Sequence, residues 1–211
     1  MAVWGIVVAA GSGSRYGGTK QYEVIAGKTV LQWSLELLDG ATDGTVVVLP
    51  EADVATWQGR WTAVAGGATR SASVRAGLDA VPADAEVVLV HDAARPLASA
   101  ELAKSVIAAI ENGADAAIPA VPVADTIKRV DLATMQVRET VDRSELYAAQ
   151  TPQGFRAETL RRAHAAEPNA TDDAAVVEHI GGTVVIVPGE TKNMKITVAD
   201  DLAIAEVWIS Q

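Results

Sequence analysis

The sequence predicts an α/β fold, a mostly parallel sheet with helices on both faces, from two features. Short β-branched runs (Val3 to Val8, Thr45 to Leu49, Thr62 to Ala65, Glu86 to Val90, Thr183 to Val187) alternate with stretches of helical period. Polar motifs follow three of those runs: Gly11 to Lys20, Gly66 to Ser73 and His91 to Pro96. They fall at carboxyl strand ends, where open α/β sheets bind ligands. The 211 residues fit a single domain, 1–211, and an apolar share of 49% is ample for one core. Only 4% is aromatic, so Val, Ala, Leu and Ile must fill the interior.

Val3-Trp-Gly-Ile-Val-Val8 has the composition of a buried strand. It leads into Ala9 to Tyr22, where Gly11, Gly13, Gly17 and Gly18 let the backbone turn sharply and approach a ligand without Cβ interference. Free N–H groups in such a loop suit phosphate oxygens, and Arg15 and Lys20 add positive charge. No Gly-Lys-Ser/Thr closes the loop, which excludes a Walker A site. A dinucleotide fingerprint fails too: the third glycine falls late, at Gly17, and no acid stands about 20 residues on.

Val30, Leu31, Ser34, Leu35 and Leu38 then make an apolar helix face ending near Gly40. After the second strand, Pro50 stops the run, and the Gly66-Gly67 loop opens a helix bearing Val74, Leu78 and Val81. Ser99 is placed to cap a helix with Leu102, Val106 and Ile110 on one face, closed by Asn112-Gly113. Ala116 to Val121 reads as a strand interrupted by Pro119 and Pro122. From Thr126 the rhythm breaks into polar alternation, Thr126 to Val130 and Met135 to Val141 around Asp131-Leu-Ala-Thr134, which predicts a projecting hairpin arm at about 126–147. Thr151 to Phe155 returns the chain to the body, and helices follow near Ala157 to Ala165 and Asp173 to His179. Thr197 with Asp200 is expected to open the last helix as a capping box.

Composition narrows the partners. With 17 Lys+Arg against 27 Asp+Glu, the net charge of −10 argues against nucleic-acid binding. Yet Arg15, Lys20, Arg70, Arg75, Arg95, Lys128, Arg143, Lys192 and Lys195 all sit in or beside Gly-, Pro- or Asp-rich junctions, which fits a small anionic ligand. No window approaches the ~18 continuous apolar residues of a membrane span. The apolar start lacks a basic flank and reads as a strand, not a leader. Without cysteine there is neither a disulfide framework nor a thiolate metal site, and the expected compartment is the cytoplasm.

Five motifs in order, Gly11-Ser-Gly-Ser-Arg15…Lys20-Gln-Tyr22, His91-Asp-Ala-Ala-Arg-Pro96, Asp125-Thr-Ile-Lys128, Gln150-Thr-Pro-Gln153 and Asn193-Met-Lys-Ile-Thr197, resemble the 2-C-methyl-D-erythritol 4-phosphate cytidylyltransferase family along nearly the whole chain. The chain departs from the pattern at Thr19, where proline is expected, and at Tyr16, where methionine is common. The resemblance implies a Rossmann-like, GT-A-like three-layer nucleotidyltransferase fold. It implies transfer of CMP from CTP to the phosphate of methylerythritol phosphate, with pyrophosphate released, in non-mevalonate isoprenoid synthesis. Catalytic roles would fall to Arg15, Lys20, Arg143 and Lys195. Ala9, Ala10, Gly11, Ser12, Gly13, Arg15, Lys20, Gly66, Ser73 and Asp92 would hold CTP. Asp92, Arg95, Thr126, Arg143, Thr151 and Lys195 would face the sugar phosphate. Mg²⁺ would be held mainly by CTP phosphates with Asp92 nearby, a hard ion that keeps its waters. A homodimer through the arm would let Thr126 and Arg143 serve the partner's site.

The remaining polar residues have plainer readings. His91 is expected to hydrogen-bond its own turn, and His164 and His179 to face solvent or the domain surface. Thr171-Asp172-Asp173 reads as an N-cap with acids in the first turn. The five tryptophans are expected to pack rather than stack on a base. Two other functions compete: a ribitol-5-phosphate cytidylyltransferase or sugar-1-phosphate nucleotidylyltransferase on the same fold, and a non-catalytic nucleotide-binding regulator.

Overall fold

The computed structural model describes the chain except residues 12, 14, 15, 167–169, 171 and 211. Its first half runs β1 (Val3–Val8), a single 3₁₀ turn (Lys20–Tyr22), β2 (Val24–Ile25), β3 (Lys28–Thr29), α1 (Val30–Asp39), β4 (Gly44–Leu49), α2 (Glu51–Val54), β5 (Thr62–Ala65), α3 (Arg70–Asp79) and β6 (Val87–Asp92). There follow α4 (Ala100–Glu111), β7 (Ala116–Pro122), β8 (Lys128–Val130), β9 (Val137–Thr140), β10 (Tyr147–Ala149) and β11 (Gln153–Arg156). The chain closes with α5 (Ala157–His164), α6 (Asp173–His179), β12 (Val184–Pro188) and α7 (Asp200–Ile209).

Among the described residues, eight strands form the central sheet. β6, β1, β4 and β5 run parallel in that spatial order. β11 then lies antiparallel between β6 and β7, and β7 also takes β10 antiparallel and β12 parallel. The expected mostly parallel Rossmann-like sheet is therefore present, with a reversed strand inside it. Alternation along the strands splits the core in two. Val7, Val47 and Leu89 pack with Leu31, Leu35 and Leu38 of α1 and Ala103, Val106 and Ile110 of α4. Ile6, Val46, Val48, Val88 and Val90 pack with Val74 and Leu78 of α3, Leu160 of α5 and Val176 of α6. These are the three layers of the sandwich.

The helix starts follow from their caps. Thr29, Thr69 and Ser99 each accept a backbone N–H three residues on, from Gln32, Ala72 and Leu102. Gly77 lets α3 lie close on the sheet: a Cβ there would stand 2.6 Å from Ile6 Cγ2. That approach aims the start of α3 at the strand ends.

Three readings need correction. Pro119 does not interrupt β7; its carbonyl accepts from Gln150 N–H, and the antiparallel ladder breaks opposite it, between β10 and β11. A missing donor is tolerated where the neighbouring strand is itself broken. β6 extends through His91 and Asp92, paired with Val7 and Val8, so these two residues lie on the sheet and not in the following loop. The Thr197–Asp200 capping box does not form: Asp201 accepts from the N–H groups of Thr197 and Val198, and Ala199 precedes the helix without a side-chain cap. The arm forms as expected: β8 and β9 make their own two-stranded antiparallel sheet around Asp131 to Gln136, and the chain rejoins the main sheet at Tyr147.

Candidate active site

The ends of β1, β5 and β6 surround a cavity of about 470 Å³. Ala9, Ala10, Gly11, Gly13, Lys20, Ser73, Asp92 and Lys195, all expected at the site, line it. So the three loops that the sequence placed at strand ends do converge. Arg15 and Ser12 lie outside the described residues.

The loop is built by its glycines. Gly13 has φ +64°, and a Cβ on it would overlap the Gly18 carbonyl at 2.0 Å. Tyr16 and Gly17 N–H groups close onto the Gly13 carbonyl, at 2.8 and 2.9 Å. Buried Gln21 donates from Nε2 to the Ala9 carbonyl at 3.0 Å, which fixes the 3₁₀ turn against the end of β1. Lys20, the first residue of that turn, reaches the Ile196 carbonyl at 2.6 Å. Gly66 does not line the cavity; it lets the β5 exit press on Ala10, because a Cβ would stand 2.3 Å from the Ala10 Cβ. Ser73 lines the wall, its hydroxyl 3.0 Å from the Thr69 carbonyl and 3.2 Å from the Gly67 N–H.

Asp92 is the electrostatic centre. Lys195 Nζ sits 2.6 Å from its Oδ2, and Arg70 Nε 3.3 Å from its Oδ1. Burial pushes the Asp92 carboxyl up, but Arg70 and Lys195 overcome that and hold it well below the usual carboxylate range. It is therefore an anion at any physiological pH.

Several residues expected to face the sugar phosphate hydrogen-bond to the protein itself or lie off this cavity. Arg95 does not line the cavity: its guanidinium donates to the carbonyls of Asn193 (2.7 Å) and Ala149 (3.1 Å). With Ile196 N–H on the Ala94 carbonyl at 2.8 Å, it docks the segment that delivers Lys195 to Asp92. Thr151 is buried and its hydroxyl is spent, accepting from Asp92 N–H (3.1 Å) beside His91 Nδ1 (2.9 Å). Its single hydroxyl proton goes to His91 Nδ1, which leaves Nε2–H to donate to the Arg95 carbonyl at 3.1 Å. His91 thus holds its turn, as expected, and is neutral. Thr126 and Arg143 are exposed on the arm and do not line this cavity; Arg143 donates to the Ala124 carbonyl.

Burial, only partly offset by Asp92, pushes the His91 pKa from 6.5 down to about 4. The unfolded chain therefore binds a proton that the folded one refuses. Stability from this group is complete above the unfolded value and falls as pH drops towards the folded value, by about 3 kcal/mol in total. Denaturant titrations across that window should show a steeper pH dependence for the native chain than for His91→Asn; equal slopes would contradict the assignment.

His164 was expected at the surface and is instead buried, 2% exposed, with Nε2 3.1 Å from Asp173 Oδ1. Asp173, read as a first-turn acid, is fully buried and takes Arg70 Nη1 at 2.5 Å. Asp172 performs the capping, accepting from Ala174 N–H. His179 is exposed as expected. Trp4, Trp33, Trp57 and Trp61 pack against the core, Trp33 and Trp57 donating from Nε1 to the Ile25 and Trp61 carbonyls, while Trp208 is exposed. Among the described residues no cluster of three His, Asp or Glu side chains could cage a metal. No helix among them is long and apolar enough to cross a membrane.

A family model for 2-C-methyl-D-erythritol 4-phosphate cytidylyltransferase (IspD) matches residues 3–211. The chain is 46% identical to the protein of that name from Saccharopolyspora erythraea, with 100% of both covered, and 47% identical to that of Rhodococcus opacus over 98% of this chain and 94% of the other. It is 48% identical to a bifunctional IspD/IspF enzyme of Anaeromyxobacter dehalogenans, of which it spans 55%. Among solved structures, the Thermus thermophilus 2-C-methyl-D-erythritol 4-phosphate cytidylyltransferase superposes with a TM-score of 0.86 at 34% identity, with both chains fully covered. Matched along almost its whole length, the chain belongs to the 2-C-methyl-D-erythritol 4-phosphate cytidylyltransferase family.

Proposed function

We propose that the chain transfers CMP from CTP to 2-C-methyl-D-erythritol 4-phosphate, a step of non-mevalonate isoprenoid synthesis. A phosphate oxygen of the acceptor attacks the α-phosphorus of CTP; the bond to the β-phosphate oxygen breaks and pyrophosphate leaves. The observation behind this reading is the meeting of Lys20, Lys195 and Asp92 on one glycine-walled cavity in a member of this family. Such a step asks little covalent work of the protein; position and charge do most of it.

Gly11 and Gly13, with Ser12 and Arg15, receive the triphosphate, and Lys20 stabilises charge that builds on the phosphates as the bond breaks. Ala9, Ala10, Gly66 and Ser73 shape the nucleoside end. Lys195, held beside Asp92, grips the acceptor's phosphate and aligns it for attack. The donor set suits Mg²⁺ held mainly by substrate phosphates, because Asp92 is the one carboxylate on the cavity wall among the described residues. Bound there, it would neutralise charge on the departing pyrophosphate.

Arg143 and Thr126 stand away from their own cavity, which supports a homodimer in which the arm completes the partner's acceptor site. Arg143→Ala should therefore raise the KM for the acceptor while leaving CTP affinity intact; weakened CTP binding with an unchanged acceptor KM would contradict this. Mixing Lys20→Ala and Arg143→Ala homodimers, with subunit exchange, should restore up to about a quarter of native activity, since one site in each mixed dimer is whole. No recovery would place Arg143 in its own subunit's site. A cytoplasmic location accords with the absence of cysteine.

The acceptor is tested by pyrophosphate release from CTP and Mg²⁺ with each of methylerythritol phosphate, ribitol 5-phosphate and a sugar 1-phosphate. Turnover with the first alone is expected; preference for another acceptor would reassign the substrate, and none at all would favour a nucleotide-binding regulator.

A further inference from the structure

We infer that Asp173 and His164, neither of which lines the cavity, are positioning residues that tether Arg70 so that Asp92 stays presented to the substrates. The starting point is an alternating file of charges leading inward from the cavity, Lys195, Asp92, Arg70 and Asp173, closed by the His164 ring. Its members are remote in sequence, Arg70 and Asp173 being 103 positions apart.

Arg70 divides its guanidinium unequally. Its contact with Asp173 is 2.5 Å, whereas that with Asp92 is 3.3 Å. Asp173 is fully shielded from water, so its charge must be met by pairing inside the protein. Arg70 satisfies one oxygen and His164 the other. His164 Nδ1 has no hydrogen-bond partner among the described residues, so the Asp173 carboxylate alone orients that ring through Nε2–H. The ring in turn keeps Oδ1 occupied and directs Oδ2 at Arg70.

The consequence is felt at Asp92. Planar guanidinium and carboxylate groups prefer a two-bond fork. Freed from Asp173, Arg70 would close onto Asp92 in that way and withdraw both its oxygens from the cavity. Anchored behind, it touches only Oδ1 and leaves Oδ2 for Lys195 and for a ligand. The tether thus sets how much of the Asp92 charge the substrates meet.

This inference rests on cytidylyl transfer at the cavity. It is tested with His164→Leu, His164→Gln, Arg70→Ala and the Arg70→Ala/His164→Leu double variant, measuring kcat/KM for CTP, CTP affinity by calorimetry and the thermal midpoint. His164→Leu should lower kcat/KM by roughly 10- to 100-fold, the scale of a small misplacement at the reacting groups. His164→Gln, whose amide N–H can replace Nε2–H, should recover most of that loss. In the Arg70→Ala background the leucine substitution should cost nothing more. A His164→Leu protein that is less heat-stable yet kinetically native overturns the inference, and so does an equal loss with and without Arg70. Asp173→Asn, which keeps shape but not charge, supplies the same comparison if the leucine variant does not fold. A protein that binds CTP without turning it over fails the functional reading, while the affinity comparison still decides the tether.

Discussion

Replacing Lys20 with alanine should lower kcat by roughly 10²–10³, or about 2.7–4 kcal/mol of transition-state stabilisation, the scale for one preorganised charge-stabilising donor. The geometry explains why the loss should be large. Lys20 opens a 3₁₀ turn that Gln21 fastens to the end of β1, so its ammonium is aimed at the cavity before any ligand arrives. It also holds the Ile196 carbonyl, next to Lys195. Alanine would remove a charge from the triphosphate and loosen the segment that carries a second one. Lys20→Arg keeps the charge but changes its shape and reach, so it should recover only part of the rate. Steady-state pyrophosphate release, with CTP affinity measured separately, checks this; wild-type kcat in the alanine variant would remove Lys20 from the transition state.

Replacing Asp173 with alanine should destabilise the fold by about 3–5 kcal/mol, the cost of breaking a buried ion pair by removing one partner. The fully buried carboxylate is the shared acceptor of Arg70 and His164. Its removal leaves the buried guanidinium with Asp92 as its remaining acid, where burial disfavours its charge and Asp92 and Asp173 now favour it, and leaves His164 Nε2 without its acceptor. The neighbouring Asp172 provides the contrast. It only caps α6 through Ala174 N–H, so Asp172→Ala should cost about 1 kcal/mol. Urea unfolding of the two variants separates the roles. Equal losses would mean that the pair at Asp173 contributes no more than a helix cap.

Much of this was legible in the residues, for reasons that differ from element to element. The face of α1 was read in full because a helix packed on one side leaves its period in the sequence: Val30, Leu31, Ser34, Leu35 and Leu38 are its buried residues. The glycine loop was legible because glycine takes a positive φ, as Gly13 and Gly17 do, at far lower cost than other residues. Asp173 was misread because Thr171-Asp172-Asp173 is already accounted for by local capping, and nothing nearby signals a partner 103 residues away. Arg95 and Thr151, expected to face the sugar phosphate, bond instead to neighbouring protein groups. Whether a polar side chain faces substrate or braces the backbone depends on carbonyls that tertiary structure brings to it, here those of Ala149 and Asn193. The reversed strand β11 was hidden for a similar reason, since strand direction is a matter of topology rather than composition.

Displacement of pyrophosphate from CTP by the acceptor's phosphate can be followed with label from CTP incubated with Mg²⁺ and 2-C-methyl-D-erythritol 4-phosphate. Label on the α-phosphorus should pass entirely into the sugar product, and label on the β- or γ-phosphorus entirely into pyrophosphate. Recovery of α-label as free CMP, or of γ-label as inorganic phosphate without a labelled sugar, would contradict it.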